Sequence, residues 1–572
     1  MVLPHQCNSF RAGGSDVEFR MSKSTTTHGL SIGQYLIQRL QDYGTADVFG
    51  IPGDYVLSFY ADLEQSPLNV VGCTREDCAG FAADAYARVN GMGVLCVTYC
   101  VGGLSVCNSV AGAYAEKSPV VMITGSPGLS ERTNNPLLHH MVRDFRTQYD
   151  VFEKLCVAGT ELSDPLTAFR EIDRVLDACD RFKRPVYIDI PRDMVDVVPQ
   201  IGQAFRQPTD RTDPDVLLEA ATEAKTLLEQ ASRPLLLAGV EVHRFRLQDQ
   251  VLALAEATGI PIAATVLGKS VIRETHPQYV GLYSGSMSHE HVREFVEQSD
   301  CILMLGTFMT DINLGIFTAN LNPVNCIYAT SEQLRIRHHH FHNVRFGDFV
   351  RALTELGPQP VQRTIPDSIS IRKPAYALDA DATITVSRLF SRLNSQLTED
   401  TIVVADIGDS LFGATELVIQ GRTEFLSPAY YTSMGFSLPA ALGAQVARPQ
   451  SRLVVICGDG AFQMTGQELS TIVRHGFDPV IIVLDNGGYG TERKLHAGEW
   501  NFNNIHPWNY SKLPEIYGGG TGYQVRTEGE FDAALTKAWD DRSGPSILQV
   551  FIDQADHSRT LNRLAEKMSE IV

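Results

Sequence analysis

Residues 452–493 read RLVVICGDGAFQMTGQELSTIVRHGFDPVIIVLDNGGYGTER, and this stretch decides the fold of the C-terminal part of the chain. The apolar run Leu453–Cys457 predicts a buried strand, Gln463–Arg474 has helical spacing, and Val480–Leu484 predicts a second strand. A right-handed β-α-β crossover brings the ends of both strands to one edge of a parallel sheet. We therefore expect the polar residues that follow the two strands to lie close together.

The residues at these strand ends suit a metal ion that carries a phosphorylated ligand. Asp459 supplies a carboxylate, Asn486 an amide oxygen and Gly488 a backbone carbonyl, and Mg²⁺ prefers hard oxygen ligands of these kinds. Glycines let the backbone approach a diphosphate closely, and the N-terminus of the following helix favours negative charge. Gly-Asp-Gly alone is also an ordinary turn, but GDG followed after a helix and a strand by DNGG predicts a Mg²⁺-diphosphate site.

Length and composition restrict the remaining possibilities. A chain of 572 residues predicts about three to four domains. The 48 Lys and Arg against 67 Asp and Glu give a net charge of −19, which disfavours nucleic acid as a partner. No apolar run has the length of a membrane span. The 11 cysteines are odd in number and lack a paired CxxC pattern, so we expect free thiols in a reducing cytoplasm rather than a zinc site.

Alternating strand and helix patterns predict an α/β fold in several domains. The predicted parts are a disordered extension over residues 1–27, a first domain over 28–200, a middle domain over 213–358, a linker over 359–380 and a third domain over 381–572. The middle domain contains no GxGxxG, which argues against a nicotinamide dehydrogenase. Its histidine cluster, HHHFH over residues 338–342, is interpreted as a surface loop or strand end, because consecutive histidines cannot all face one metal.

The stretch quoted first resembles the thiamine-diphosphate motif of the pyruvate decarboxylase group, which begins GDG and ends NN. Asp485 replaces the first Asn of that pair, while Asn486 keeps the second, metal-binding position. The resemblance extends from about Leu30 to the C-terminus, through GDYVLSFYADL, REDCAGFAADAYARVNG and GAYAEKSPVVMITGSPG. The segments AEKSPVV and LLHH are especially similar to decarboxylases of phenylpyruvate and indolepyruvate. The family implies three doubly wound parallel-sheet domains: pyrimidine-binding, central transhydrogenase-like and diphosphate-binding.

This resemblance implies non-oxidative decarboxylation of a 2-oxo acid to an aldehyde and CO₂ through a thiamine diphosphate carbanion and enamine, with Mg²⁺ as the second cofactor. An aromatic or branched substrate is favoured over pyruvate, partly because Thr491 stands where pyruvate-specific members carry a bulkier residue. The family also implies a cytoplasmic homo-oligomer with sites shared between two chains; a homotetramer is expected, and dimer against tetramer is left open by the sequence. The alternatives are a carboligase of the acetolactate synthase type, against which His139-His140 argues, and an inactive cofactor-binding subunit.

Five residues match catalytic positions of the family. Glu76 matches the glutamate that hydrogen-bonds N1′ of the pyrimidine and favours its imino tautomer. Asp54 in IPGDY, the pair His139-His140 in LLHH, and Glu492 in GYGTER match groups that transfer protons after CO₂ leaves. In isolation, Glu76 would be an ordinary helix N-terminal carboxylate and Asp54 an ordinary turn residue. Their positions within the family motifs favour catalysis, and which residue serves which step is left open.

Further residues match cofactor positions. Met434 in YYTSMGF aligns with the apolar residue that bends the cofactor, although such a methionine is often only a core residue. Thr432 aligns with the residue whose carbonyl accepts a bond from the 4′-amino group, and Asp459, Asn486 and Gly488 fall on the Mg²⁺ positions. The predicted cofactor-binding set is Glu76, Gly408, Asp409, Ser410, Thr432, Met434, Gly458, Asp459, Gly460, Ala461, Asn486, Gly488 and Tyr489. Residues 556–572 predict a terminal helix, which in the family covers the active site.

Overall fold

The computed structural model describes residues 29–200, 211–369, 376–421 and 424–568. The predicted disordered extension over residues 1–27 lies outside the described residues. Three α/β units follow one another along the chain, and each is built around its own mainly parallel sheet. This arrangement confirms the predicted fold class. None of the helices in the described ranges is both long enough and apolar enough to cross a membrane.

The first unit has six parallel strands in the spatial order β2-β1-β3-β4-β6-β5. Its strands are β1 (Asp47–Gly50), β2 (Asn69–Gly72), β3 (Gly93–Val97), β4 (Val120–Ser126), β5 (Ala158–Glu161) and β6 (Val186–Pro191). Its helices are α1 (Ile32–Asp42), α2 (Leu57–Glu64), α3 (Glu76–Asn90), α4 (Cys107–Ala115), α5 (Thr147–Leu155) and α6 (Ala168–Phe182). Because all strands are parallel, the loops after β1 to β4 meet at one edge of the sheet.

The middle unit has seven strands in the order β13-β12-β11-β10-β7-β8-β9, in which the pairs β13-β12 and β12-β11 are antiparallel. The strands are β7 (Pro234–Ala238), β8 (Ile262–Ala264), β9 (Tyr279–Leu282), β10 (Cys301–Leu305), β11 (Cys326–Ala329), β12 (Leu334–Ile336) and β13 (His339–Phe341). The helices are α7 (Pro214–Gln230), α8 (Val240–Arg244), α9 (Gln248–Thr258), α10 (Glu290–Glu297) and α11 (Phe346–Leu356). The histidines of residues 338–342 lie exposed around β13, as the sequence interpretation expected.

The third unit has six parallel strands in the order β15-β14-β16-β17-β19-β18. The strands are β14 (Thr401–Ala405), β15 (Phe425–Leu426), β16 (Arg452–Gly458), β17 (Val480–Asp485), β18 (Thr521–Val525) and β19 (Ser546–Phe551). The helices are α12 (Val386–Gln396), α13 (Asp409–Ala414), α14 (Ser437–Ala447), α15 (Asp459–Thr465), α16 (Leu469–Arg474), α17 (Gly490–Leu495), α18 (Leu513–Ile516), α19 (Glu528–Asp540) and α20 (Arg559–Met568).

The predicted β-α-β unit is present in the third sheet, with one difference in its helix. The helix begins at Asp459, directly after β16, rather than at Gln463 where the apolar spacing starts. A 3-10 turn over Gly466–Glu468 divides it into α15 and α16. Met464, which the helical spacing placed with the apolar residues, is 44% exposed. The polar start Asp459-Gly460 carries no apolar periodicity, so spacing alone places the helix N-terminus too late.

The first and third units pack against each other through α3 and α14, the helices that follow the second strand of each sheet. A side chain at Gly443 of α14 would collide with the backbone carbonyl of Ala82 in α3. Glycine therefore permits a close approach of the two helices. One continuous hydrophobic core extends through both units, from Phe49 in β1 to Ile547 in β19. The two units form one packed body within a chain.

Candidate active site

The loops after β14, β16 and β17 enclose a cavity at the edge of the third sheet. Its lining includes Gly408, Asp409, Ser410, Met434, Gly458, Asp459, Gly460, Ala461, Asn486, Gly488, Tyr489, Thr491 and Glu492. The predicted cofactor-binding residues are thus brought together here, except Glu76 and Thr432. The catalytic candidate Glu492 lies in the same cavity, near the start of α17.

The metal-site candidates converge on one backbone amide. The amide N–H of Gly488 donates to Oδ2 of Asp459 at 3.0 Å and to Oδ1 of Asn486 at 3.2 Å. The other Asp459 oxygen accepts from the amide of Gly460 at 2.7 Å. Asp459 is buried, and its burial raises the pKa of the carboxyl to about 7. A buried carboxylate in this position is stabilised by a neighbouring cation, so the donor set fits a divalent metal ion.

The turn that carries Asn486 depends on glycine and on one arginine. Gly487 has φ +74° and Gly488 has φ +149°, and a side chain at Gly488 would collide with the carbonyl of Asn503. Nη1 of Arg493 donates to the carbonyl of Asn486 at 3.1 Å, and Nη2 donates to that of Gly487 at 2.9 Å. The sequence analysis overlooked Arg493 as a residue that holds this turn. The only feature of the sequence that could have identified Arg493 is its position directly after Glu492.

The cavity also has features that suit a diphosphate. The Ser410 hydroxyl is buried and has no hydrogen-bond partner among the described residues. Gly408, at the start of α13, has φ +75°, and a side chain at Gly460 would lie 2.8 Å from the Tyr489 ring. An unpaired buried donor together with backbone that must stay uncovered is expected where a polar ligand binds. The residues present therefore fit a Mg²⁺-diphosphate group.

Asp409 lines the cavity, but its carboxylate is already engaged by the C-terminal segment. Its Oδ2 lies 2.8 Å from Nδ1 of His557, and its Oδ1 accepts from the amide of Ser558 at 2.8 Å. The helix α20 that follows packs on α13 through Leu561 and Leu564. These contacts anchor the C-terminal helix beside the cavity, a function that the sequence analysis did not assign to Asp409.

The loop between β15 and α14 carries Thr432 and Met434. Thr432 has φ +56°, which is rare for a β-branched residue and marks a locally strained backbone. The C-terminal end of the loop is held by the buried carboxylate of Asp406, which accepts hydrogen bonds from the amides of Gly435 at 3.2 Å and Ser437 at 3.0 Å. The Met434 side chain reaches the cavity. The hydrogen bonds to Asp406 therefore hold the backbone just after the strained Thr432, as expected for a loop that orients a ligand.

The AEKSP segment, noted in the sequence for its similarity to the family, joins the three units. The buried carboxylate of Glu116 accepts from the backbone amides of Tyr430 at 2.7 Å and Tyr431 at 2.8 Å. The neighbouring Lys117 ammonium donates to Glu241 of the middle unit at 2.6 Å, and both side chains are buried. The first unit thereby positions the loop that carries Thr432. Sequence reasoning gave this segment no role.

A second group of candidates lies at the edge of the first sheet. Nε2 of His139 lies 2.7 Å from Oδ2 of Asp54, and the rings of His139 and His140 lie nearly perpendicular, 4.9 Å apart. The hydroxyl of Tyr55 lies 3.3 Å from Nδ1 of His139. His140 has φ +66°, a strained conformation for this residue. The structure thus brings together three predicted catalytic residues from two separate loops.

One arginine beside this group was missed by the sequence analysis. Nη1 of Arg192 lies 4.0 Å from Oδ2 of Asp54, and its guanidinium lies over the Tyr55 ring at 5.0 Å. Nε of Arg192 also donates to Glu131 at 2.8 Å, and this bond lowers the pKa of the Glu131 carboxyl. Arg192 directly follows β6, and no motif marked it because its partners lie far away in the sequence.

Glu76 is the first residue of α3 and is half-buried. The turn before it is tied to the third unit, because the amide of Thr74 donates to the buried Glu468 at 3.2 Å. Across the described ranges, no hydrogen bond or ion pair connects the predicted catalytic residues of the first unit with a residue that lines the cavity. The candidates therefore form two separate groups within one chain, one on the first unit and one on the third.

Models of thiamine pyrophosphate enzyme domains match all three units. The N-terminal TPP binding domain matches residues 30–149, the central domain residues 221–356, and the C-terminal TPP binding domain residues 406–550. The two candidate groups lie in or beside the two TPP binding domains.

Curated relatives match almost the whole chain. An indole-3-pyruvate decarboxylase of Azospirillum brasilense is 35% identical over 546 residues, which cover 94% of this chain and 98% of the relative. An alpha-keto-acid decarboxylase of Mycolicibacterium paratuberculosis is 34% identical, with 96% and 98% covered. Another, of Mycobacterium leprae, is 33% identical, with 93% and 95% covered. Together with the three domain matches, this similarity shows that the chain belongs to the thiamine-diphosphate-dependent 2-oxo acid decarboxylases.

Proposed function

We propose that this chain converts an aromatic or branched 2-oxo acid to an aldehyde and CO₂, with thiamine diphosphate and Mg²⁺ bound at the cavity of the third unit. The decarboxylation of a 2-oxo acid follows from family membership, and a carboligase or an inactive subunit is not favoured. The observation that carries the proposal of a Mg²⁺ site is the convergence of Asp459 and Asn486 oxygens on the amide of Gly488.

The residues of the third unit bind and orient the cofactor. Bound thiamine diphosphate supplies a nucleophilic carbon and accepts the electrons of the breaking carbon–carboxylate bond. Asp459, Asn486 and the Gly488 carbonyl would hold Mg²⁺, and the Ser410 hydroxyl is available to the diphosphate. Glu76 would hold a proton at the pyrimidine N1′, which requires that a first unit lies against the cavity.

The residues of the first unit, together with Glu492, move protons. After CO₂ leaves, one carbon must gain a proton and one hydroxyl must lose a proton before an aldehyde is released. Imidazole exchanges protons readily near neutral pH, and Asp54 holds the His139 ring through their 2.7 Å contact. Asp54, His139 and His140 lie together on one edge, while Glu492 lies in the cavity. We assign these four residues jointly to the two proton transfers.

We propose that each complete site is formed by two chains of a homodimer, which assembles further into a tetramer in the cytoplasm. Among the residues that the structure describes, no hydrogen bond or ion pair joins the two groups of candidates within one chain. Exposed apolar side chains, which can mark contact surfaces, lie close in the sequence to both groups. These are Leu137 and Val142 beside the histidine pair, and Trp500 and Phe502 after α17. Pairing the first unit of one chain with the third unit of another would cover both surfaces and complete the site.

The substrate proposal rests on Thr491 and on the sequence of the LLHH region. Thr491 lines the cavity, where a small side chain leaves room for a large substrate. The test is aldehyde release from a panel of 2-oxo acids at equal enzyme concentration, followed with an aldehyde-reducing enzyme. We expect kcat/KM for phenylpyruvate or indolepyruvate to exceed that for pyruvate, and Thr491→Ile to reduce this ratio. A clear preference of the wild-type enzyme for pyruvate would contradict the substrate proposal.

A further inference from the structure

We infer that Asp54, His139 and His140 form a binding site for a divalent transition-metal ion such as Zn²⁺, and that the ion inhibits the enzyme from this site. Each of the three residues offers one ligand atom, and these atoms all lie within 4.8 Å of one another. In the described parts of the chain, no other set of three His, Cys, Asp or Glu side chains is grouped in this way. This site is separate from the Mg²⁺ position at Asp459.

The geometry requires only a small adjustment to accept a metal ion. Zinc binds histidine nitrogen and carboxylate oxygen at about 2.0–2.2 Å, so two tetrahedral ligands lie about 3.4 Å apart. Nε2 of His139 and Oδ2 of Asp54 are 2.7 Å apart and share a hydrogen bond. The ion would replace the shared proton, and these two atoms would separate by less than about 1 Å. Within one chain both side chains are exposed at the edge of the sheet, so the adjustment disturbs no core packing of that chain.

The ligand types select the metal. Two imidazoles and one carboxylate suit Zn²⁺, Co²⁺ or Ni²⁺, whereas Mg²⁺ prefers oxygen ligands and water. A metal-binding histidine usually has a hydrogen-bond partner at its second ring nitrogen, and the buried Tyr55 hydroxyl lies 3.3 Å from Nδ1 of His139. The nearby positive charge of Arg192 is compensated by its hydrogen bond to Glu131 at 2.8 Å. Asp54 therefore remains available to a cation.

Inhibition follows from the same contacts. A ring nitrogen that coordinates a metal ion has its lone pair occupied and cannot accept a proton. Binding of the ion rests on the three side chains alone, whereas inhibition also rests on their proposed role in proton transfer. The two parts can therefore be tested separately, by a binding signal and by a rate.

The binding test uses the holoenzyme in excess thiamine diphosphate and Mg²⁺, titrated with Co²⁺ as a spectroscopic probe and with Zn²⁺ in a calorimeter. We expect one transition-metal ion per chain, with the visible absorption of a low-coordinate Co²⁺. His139→Asn, His140→Asn and Asp54→Asn should each weaken binding by more than about tenfold. The control is His342→Asn, which removes an exposed histidine of the middle unit and should leave binding unchanged. Equal affinity in all four variants and the wild type would overturn the site.

The inhibition test measures decarboxylation by the wild-type enzyme at the same Zn²⁺ concentrations, with Mg²⁺ held in large excess. We expect the rate to fall in parallel with occupancy, and a higher substrate concentration to relieve the inhibition. Retained cofactor, measured after rapid gel filtration, would show that Zn²⁺ acts without displacing Mg²⁺. Release of thiamine diphosphate by Zn²⁺ would overturn the proposal that inhibition arises at Asp54, His139 and His140. A full rate in an enzyme with the site filled would instead contradict the catalytic role of the three residues and leave the metal site intact.

Discussion

The first and third units share one topology but carry different chemistry at the same edge of the sheet. In both, the six strands follow the spatial order second, first, third, fourth, sixth, fifth along the chain. After β1 and β4 the first unit places Asp54 and the His139-His140 pair. After β16 and β17 the third unit places Asp459 and Asn486. The topology therefore determines where a site forms, and the few residues after each strand determine what the site does.

The two edges also differ in how complete they are within one chain. The Asp459 carboxylate is buried and bonded to backbone amides, whereas the Asp54 and His139 side chains are 41% and 59% exposed. A buried carboxylate that backbone amides hold in place is suited to bind a metal ion without a residue from a second chain. The proton transfer that we propose for the exposed groups needs a surface that excludes water from them. This difference leads us to expect that damage to the third unit removes the cofactor, while damage to the first unit leaves it bound but inactive.

The largest effect is expected from Asp459→Asn. Loss of the buried carboxylate should remove both Mg²⁺ affinity and the position of the reactive carbon, and lower activity by about 10³-fold or more. The measurement is kcat/KM together with the cofactor content of the gel-filtered protein. Asp485→Asn is the matched control. The Asp485 carboxylate lies at the end of the neighbouring strand, but it accepts a hydrogen bond from Gln549 at 2.7 Å and is not one of the predicted metal ligands. If Asp459→Asn retained its cofactor, the metal site would lie elsewhere.

Glu76→Gln tests the first unit, where damage is expected to leave the cofactor bound but inactive. The amide cannot hold the N1′ proton, so turnover should fall by about 10²-fold or more while the cofactor stays bound. Exchange of the cofactor C2 proton for deuterium should slow to a similar extent. Asp77→Asn alters the next carboxylate on the same helix turn and should leave the exchange rate unchanged. An unaltered exchange rate in Glu76→Gln would show that Glu76 serves only as a helix-end carboxylate.

An intermediate effect is expected from Arg493→Lys. Lysine cannot bond the carbonyls of Asn486 and Gly487 at the same time, so the turn loosens without loss of a metal ligand. Mg²⁺ affinity should fall by about 10- to 100-fold, and excess Mg²⁺ should restore most of the activity. A Mg²⁺ titration of the cofactor-loaded enzyme measures this. A reduced rate that no Mg²⁺ concentration restores would mean that Arg493 acts on substrate instead of on the turn.

The smallest effect concerns the stability of the fold. It is expected at a position where the first sheet has an aspartate and the third sheet has a glutamine. Asp189 is the fourth residue of β6, and Gln549 is the fourth of β19. Burial raises the pKa of Asp189 to about 7, well above the value of about 3.9 expected in an unfolded chain. Between these values the unfolded chain has lost a proton that the folded chain keeps. The free energy of unfolding should therefore decrease as pH rises, by at most about 1.4 kcal/mol per pH unit.

Asp189→Asn should remove this dependence, because an amide does not titrate. The measurement is Tm of both proteins between pH 5 and 8 at one scan rate. We expect the wild-type Tm to decline relative to that of the variant up to about pH 7. Two curves that run parallel across this range would show that Asp189 keeps the same protonation state in both forms.

The sequence predicted two central strands of the third sheet and the closeness of Asp459 and Asn486, since this information is local. The strands β16 and β17 are continuous apolar runs, and a β-α-β crossover fixes Asp459 and Asn486 at one edge. The edge strands β5 and β18 contain partly exposed residues and no such run, so they carry little pattern. The family motifs added the first-unit candidates, because composition alone does not distinguish a catalytic histidine pair from a surface loop.

Apart from Arg493, the residues that sequence analysis missed act through distant partners. Arg192 and Glu116 contact side chains or backbone on other loops or other units, and no spacing rule relates such positions. Asp409 was predicted as a cofactor residue, but its engagement with His557 depends on how the C-terminal segment folds back. These contacts become visible only when segments that are distant in the sequence are packed together.

The central claim is that one active site combines the first unit of one chain with the third unit of another. The direct measurement coexpresses Glu76→Gln and Asp459→Asn chains that carry different tags, and purifies the mixed dimer. Each variant alone should be inactive. In the mixed dimer both lesions fall on one site and none on the other, so half of its sites should be intact.

In an unselected mixture, random pairing would give about a quarter of all sites intact, which provides an internal check on the purified species. We predict that the mixed dimer recovers about half of the wild-type activity per chain. If each chain instead built its own site, every site would carry one lesion. A mixed dimer that is folded, contains thiamine diphosphate and remains inactive would contradict the shared site.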